Sequence, residues 1–128
     1  MIYADSSVAV AAVLSESRRP PETFWTSRIV ASRLTDLETR VRVARHGDSA
    51  RHQQAVDLIT SRMMFVEIDR ASVDLLYREI PAGLRTLDAI HLATLQHVNG
   101  GLRRVPLATY DRRLATAAHA MGFQVIVP

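Results

Sequence analysis

Short apolar runs alternate with helix-length segments along almost the whole chain. Residues 2–4 form an apolar run that stops at Asp5, and 6–14 continue as a small-residue apolar segment of helical length, a strand followed by a helix. Arg18, Arg19, Pro20 and Pro21 make a turn that can start a short helix over 23–26, because proline is tolerated in a first turn, and Trp25 docks this piece. Residues 29–31 are a candidate strand. Leu34, Leu37, Val41 and Ala44 then recur at spacings of three, four and three, which predicts an amphipathic helix with these four on its inner face, ended by Gly47. Asp48 can cap a further helix whose Ala55, Leu58, Ile59 and Met63 share a face, and 64–68 read as a strand. Asp69 can cap the segment carrying Val73, Leu76 and Ile80, which Pro81 and Gly83 close. Residues 87–98, LDAIHLATLQHV, are apolar nearly all round and predict a helix buried mid-domain, ended by Asn99, Gly100 and Gly101. A strand over 105–109, a helix over 111–121 stopped by Gly122, and a strand over 123–127 complete the chain.

Strands alternating with helices predict an α/β fold, a three-layer sandwich in which a parallel sheet of about four to five strands carries helices on both faces. At 128 residues the expectation is one domain over 1–128. Composition narrows the chemistry. Cysteine is absent, so disulfide scaffolds, thiolate metal sites and thiol nucleophiles are excluded. All sixteen basic residues are arginine, so a P-loop lysine, a Schiff-base lysine and a receiver-type phospho-acceptor pocket are excluded as well. A GC-rich genome accounts for the arginine bias without invoking function. The net charge of +3 permits a nucleic-acid partner but lacks the dense basic stripe of a protein that only grips a backbone. The start, MIYADSSVAVAAVL, has no basic leader and an acid at position 5, so a signal peptide or membrane span is not expected and the cytoplasm is.

The acids carry the candidate chemistry. Asp5 and Asp111 each stand where a strand hands over to a helix, the carboxyl edge at which α/β proteins place ligands, although aspartate there is also a common helix cap. Glu38 lies near the buried edge of its helix, with two structural alternatives: an ion pair with Arg42, or a capping box begun by Thr35. Asp88 interrupts an apolar helix and must be paired, hydrogen-bonded or bound to a cation, unless it is a first-turn acid behind a Thr86 cap. Four carboxylates converging at one sheet edge repel one another and are stabilised by divalent cations, and all-oxygen ligands favour Mg²⁺ or Mn²⁺.

The runs IYADSS, LTDLETR, LRTLDAIHLATL and ATYDRRL, in this order, resemble the acidic motifs of the PIN-domain ribonucleases, most closely the toxins of VapBC-type toxin–antitoxin pairs. The similarity spans residues 2–127, and its LRTLDAIHLAT and TYDRRL segments are the specific ones. The resemblance implies a metal-dependent endoribonuclease, inhibited by a cognate VapB-type antitoxin and usually a homodimer. It assigns Asp5, Glu38, Asp88 and Asp111 to the metal and to catalysis, with Ser7 and Thr109 as supporting hydroxyls. Phosphodiester hydrolysis needs an activated water and a neutralised leaving oxygen, and Mg²⁺ or Mn²⁺ supplies both, so no general-base side chain is required. One departure stands out: some relatives carry a further acid after the fourth, whereas here Arg112, Arg113 and Leu114 follow Asp111, which leaves a second metal in doubt.

Arg112 and Arg113 are candidates for RNA phosphates, or simply a solvated helix start. His91, three residues after Asp88 on the same helix face, is read as a buried histidine bonded to a neighbour rather than a ligand of a hard cation. Asp36 belongs on the surface. Val13, Leu14, Phe24 and Trp25 are candidates for an antitoxin groove, with ordinary core packing as the alternative. Two rival functions remain: a catalytically inactive PIN-like module binding RNA or protein, and a phosphomonoesterase with an aspartyl nucleophile. The second needs D-x-D and a lysine where this chain has D-S-S and none.

Overall fold

The computed structural model describes residues 1–47, 49–77, 81–100 and 104–128. Its elements in chain order are β1 (Ile2–Ala4), α1 (Ser6–Val13), a 3₁₀ turn (Glu22–Thr26), β2 (Ile29–Ser32), α2 (Arg33–Ala44), α3 (Ala50–Thr60), β3 (Met63–Val66), α4 (Arg70–Leu76), α5 (Thr86–Asn99), β4 (Leu107–Ala108), α6 (Arg112–Ala120) and β5 (Val125–Ile126). The strands pair in the order β3-β2-β1-β4-β5, and every pairing is parallel. This is the α/β sandwich the alternation predicts. Strand order reverses between β1 and β4, and such a switch point opens a crevice beyond the carboxyl ends of the strands.

Alternation along each strand divides the core. Tyr3, Val30 and Leu107 face one side, where they pack with Leu76 of α4, Leu92 and Leu95 of α5, and Leu114 and Ala118 of α6. Ala4, Ile29, Ala31 and Ala108 face the other, against Val8, Ala9 and Ala11 of α1 and Phe24 of the 3₁₀ turn. Farther out, Val13, Val43 and Val56 join α1, α2 and α3. From His91 to Leu95 five consecutive residues of α5 are buried, as its all-round apolar pattern predicts. Gly100 ends α5 with φ 51°, a left-handed cap natural to glycine. Asn99 then ties that end to the approach to β4, its amide accepting from Val105 N at 2.8 Å and donating to the Val105 carbonyl at 3.2 Å.

Two predicted faces are wrong. In α2 the buried residues are Leu34, Thr35, Thr39 and Val43, while Leu37 and Val41 are 60% and 46% exposed. Threonine can occupy the inner face because its hydroxyl is satisfied within the helix: Thr39 Oγ1 donates to the Thr35 carbonyl at 2.6 Å. Hydropathy alone therefore rotates the helix the wrong way. In α3, Val56 and Thr60 face inward and Leu58 is 58% exposed. Met63 belongs to β3, which begins one residue earlier than predicted and puts Met63, not Met64, inside. Ser49 caps α3 by accepting from His52 N at 3.2 Å, and Asp48 lies outside the described residues, as do Ile80 and Gly101. Asp69 caps α4 as predicted, in a capping box with Ser72.

Candidate active site

Asp5 follows β1, and Asp111 follows β4 by three residues, so the two flank the switch point. Asp5 occupies the N-cap position of α1, yet its side chain makes no capping bond. Its place at the cap therefore does not by itself account for this acid. Its carboxylate is 4% exposed and accepts from Ser7 Oγ at 2.6 Å. Ser7 Oγ in turn accepts from Tyr110 N at 2.9 Å and lies 3.4 Å from Thr109 Oγ1, which accepts from Asp111 N at 2.9 Å. A chain of hydroxyls thus stitches the end of β1 to the end of β4. Asp111 does cap, its Oδ1 accepting from Arg113 N and Leu114 N at 2.8 and 3.2 Å.

Glu38 approaches from α2. The helix begins at Arg33 behind a Ser32 cap, which rules out a capping box begun by Thr35. Its Oε2 meets His91 Nε2 at 2.8 Å, and His91 Nδ1 lies 3.2 Å from the Tyr3 hydroxyl. The carboxylate can only accept, so Nε2 carries a proton toward Glu38. Asp88 sits in the first turn of α5, which starts behind Arg85 with no side-chain cap and has Thr86 as its first residue, so Thr86 is not the cap. Asp36 bonds Arg40 at 2.9 Å and takes no part in the cluster, as expected.

His91 acts electrostatically on Asp5, Glu38 and Asp88, and Asp88 also feels Asp111 and Glu38. Burial pushes the Asp5 carboxyl above its ordinary value, against His91, Ser7 and Thr109, which pull it down. Asp88 is raised by burial first, then by the neighbouring charge of Asp111, with Glu38 adding a smaller push. Glu38 lies below its usual range: burial opposes this, but the hydrogen bond and charge of His91, the Ser6 hydroxyl and Arg42 outweigh it. Among the described residues no three His, Asp or Glu side chains already form a closed ligand set. The donors are all oxygen, and a hard cation would offset the burial that raises Asp5 and Asp88, so the donor set is of the type that fits Mg²⁺ or Mn²⁺.

Sequence reasoning missed two members of this cleft and read a third, His91, correctly as a buried histidine bonded to a neighbour. Tyr3 and Ser6 gave no signal beyond strand and helix periodicity. His91 showed its position, one turn after Asp88, but not its bond to Glu38. Of the apolar candidates, Val13 and Phe24 are buried in the core, whereas Trp25 is half-buried and lines an open cavity of about 510 Å³ with Pro20 and Ile59. Leu14 packs at the edge of the Val13–Val43–Val56 cluster. Among the described residues no helix is long and apolar enough to cross a membrane.

A parallel sheet with acids gathered at its switch point defines a class of α/β proteins that work on ligands at that edge. The PIN domain family model matches residues 2–120. The chain is 36% identical over 134 residues to Ribonuclease VapC46 of Mycobacterium tuberculosis, covering 99% of this chain and 97% of that one. Two crystal structures share the fold. One is Mycobacterium tuberculosis VapC20, a toxin that cleaves the sarcin-ricin loop, at TM-score 0.69 and 16% identity with both chains fully covered. The other is VapBC2 of Rickettsia felis bound to a DNA fragment from its promoter, at TM-score 0.72 and 14% identity over 98% of each chain. The chain belongs to the PIN-domain family and, within it, to the VapC ribonucleases.

Proposed function

We propose that this single PIN domain, spanning 1–128, is the toxin of a type II toxin–antitoxin pair: a cytoplasmic endoribonuclease that hydrolyses RNA phosphodiester bonds with Mg²⁺ or Mn²⁺ at Asp5, Glu38, Asp88 and Asp111. The observation that carries this is that Asp88 feels the charges of Asp111 and Glu38, while His91 acts on Asp5, Glu38 and Asp88 alike, with Asp5 buried beside the switch point. Such a cation, when bound, supplies charge neutralisation at the phosphoryl oxygens and lowers the pKa of an attacking water. Ser7 fixes the Asp5 carboxylate by its 2.6 Å bond. Thr109 fixes the backbone of Asp111, and the helix cap holds that carboxylate's Oδ1, so Asp111 would be presented to a cation in a fixed orientation. His91 orients Glu38.

The partner of such a toxin is a VapB-type antitoxin. The cavity beside Trp25 offers it a mixed seat, with Trp25 and Ile59 beside the polar Ser17, Arg19 and Glu22, and Val13 and Phe24, turned into the core, do not contribute. A homodimer fits the exposed Leu37 and Val41, one turn apart on the outer face of α2. The test is incubation of purified protein with total RNA in Mg²⁺, in Mn²⁺ and in chelator. The proposal expects discrete fragments with either metal and none in chelator; equal cutting in chelator, or no cutting by folded, metal-loaded, antitoxin-free protein, overturns it.

A further inference from the structure

Three arginines from three separate elements line one open cavity of about 390 Å³: Arg18 from the loop after α1, Arg42 from the last turn of α2, and Arg112 from the start of α6. Ser7 and Asp111 line it too, so the cavity opens directly off the acidic cleft. We infer that it is a phosphate-binding subsite that holds the RNA backbone next to the bond being cut. The inference rests on the ribonuclease reading for the strand's path but not for the binding itself.

Among the described residues none of the three guanidinium groups is tied up in an ion pair, although Arg42 is near enough to Glu38 to pull its carboxyl down. Arg33, Arg40, Arg62 and Arg70 are each engaged with a carboxylate, whereas among the described residues Arg18, Arg42 and Arg112 have no carboxylate within ion-pair distance and all three are exposed. Glu16 also lines the cavity, so the lining is not purely basic, but arginine outnumbers acid there by three to two. A planar fork of paired donors matches the oxygens of a phosphate.

The subsite is also built in advance. Ser15 ends α1 in the left-handed region at φ 54°, with Glu16 N donating to the Ala11 carbonyl at 3.0 Å and Ser15 N to that of Ala12 at 3.3 Å, a Schellman turn that folds the chain back. A second turn, closed by Arg19 N on the Glu16 carbonyl at 3.1 Å, presents Arg18. The Arg18 guanidinium lies over the Tyr110 ring, 5.5 Å from its centre. Tyr110 is itself pinned at both ends, its hydroxyl donating to the Pro128 carbonyl at 2.8 Å and its backbone N–H to Ser7. Arg18 is thus anchored through the same serine that holds Asp5.

Sequence adjacency misleads here. Arg112 and Arg113 are neighbours, yet Arg113 lines a different cavity, with Pro81, Leu84 and Thr116. The helix start sends one arginine toward the acids and the other away. RNA is favoured over an acidic peptide because a strand crossing the acids must set its next phosphate beside them, where these three cations stand.

The test is fluorescence anisotropy of a labelled single-stranded RNA in chelator, for wild type and for Arg18→Ala, Arg42→Ala, Arg112→Ala and Arg113→Ala, with folding checked by circular dichroism. Each of the first three is expected to weaken binding severalfold and to flatten the dependence of log K on log salt by about 0.7 per lost phosphate contact. Arg113→Ala is expected to bind as wild type. Wild-type affinity and salt slope in all three variants, an equal loss in Arg113→Ala, or no wild-type binding overturns the subsite. Cutting with Mg²⁺ separates the two readings. Arginine-dependent binding by a wild type that never cuts leaves the subsite standing without the nuclease, and metal-dependent cutting with unaltered binding by the variants does the reverse.

Discussion

Glu38 and His91 meet at 2.8 Å across 53 residues of sequence, and Tyr3 backs the same imidazole at 3.2 Å from the opposite nitrogen. The ring is held between a β1 hydroxyl and an α2 carboxylate, so its orientation and that of Glu38 are set together. Outer partners of a ligating carboxylate typically govern metal affinity or activity by about 10–100-fold. His91→Ala is accordingly predicted to raise the Mg²⁺ concentration needed for half-maximal cutting and to lower the rate by about that factor. His91→Gln, which can still donate to Glu38, recovers part of it. Equal metal dependence in wild type and His91→Ala counts against the positioning role.

Burial lifts the Asp5 carboxyl above the ordinary range. A carboxyl whose folded pKa exceeds its unfolded one binds more protons when folded between those two values, so its contribution to stability falls as pH rises through that window. Asp5→Asn removes the buried charge while keeping the shape. In metal-free protein this variant should therefore melt higher than wild type at neutral pH, and the gap in Tm should shrink as pH falls to the ordinary carboxylate range. The same variant should not cut RNA. A gap independent of pH would mean that Asp5 is not held in its charged form at a cost.

Ser15 adopts φ 54°, where a Cβ is unfavourable by about 1–2 kcal/mol. Glycine relieves that strain and loses some of the gain to the greater freedom of the unfolded chain. Ser15→Gly is predicted to stabilise the protein by up to about 1 kcal/mol in urea unfolding, with the midpoint raised and the slope unchanged. A lowered midpoint would show that the hydroxyl contributes more than the strain costs.

Asp69 caps α4 away from the cleft, accepting from Ser72 N at 2.8 Å while Ser72 Oγ accepts from Asp69 N at 3.1 Å. Asp69→Ala should cost about 1 kcal/mol, the usual worth of an N-cap, and leave the rate of cutting per folded molecule unchanged. Chemical denaturation and cutting rates measured on the same preparation separate the two effects.

Much of the fold is legible because strand and helix periods alternate cleanly, and the run from His91 to Leu95 announces its burial by having no polar face. The inner face of α2 is not legible: Thr35 and Thr39 look polar to any hydropathy scale, and only the closed bond from Thr39 to the Thr35 carbonyl makes that face compatible with the core. For the cleft, sequence supplies the acids and their order. It does not supply His91 bonding Glu38, nor the division of Arg112 from Arg113, because both depend on how helices are rotated against the sheet rather than on spacing along the chain.

The central claim is that Asp5, Glu38, Asp88 and Asp111 act as one cation-dependent centre. Its most direct test is the single-turnover rate of RNA cutting in saturating Mg²⁺ for Asp5→Asn, Glu38→Gln, Asp88→Asn and Asp111→Asn beside wild type, each confirmed as folded. The account predicts that every one of the four falls to the background seen in chelator. Wild-type cutting by either Asp5→Asn or Asp88→Asn would contradict it.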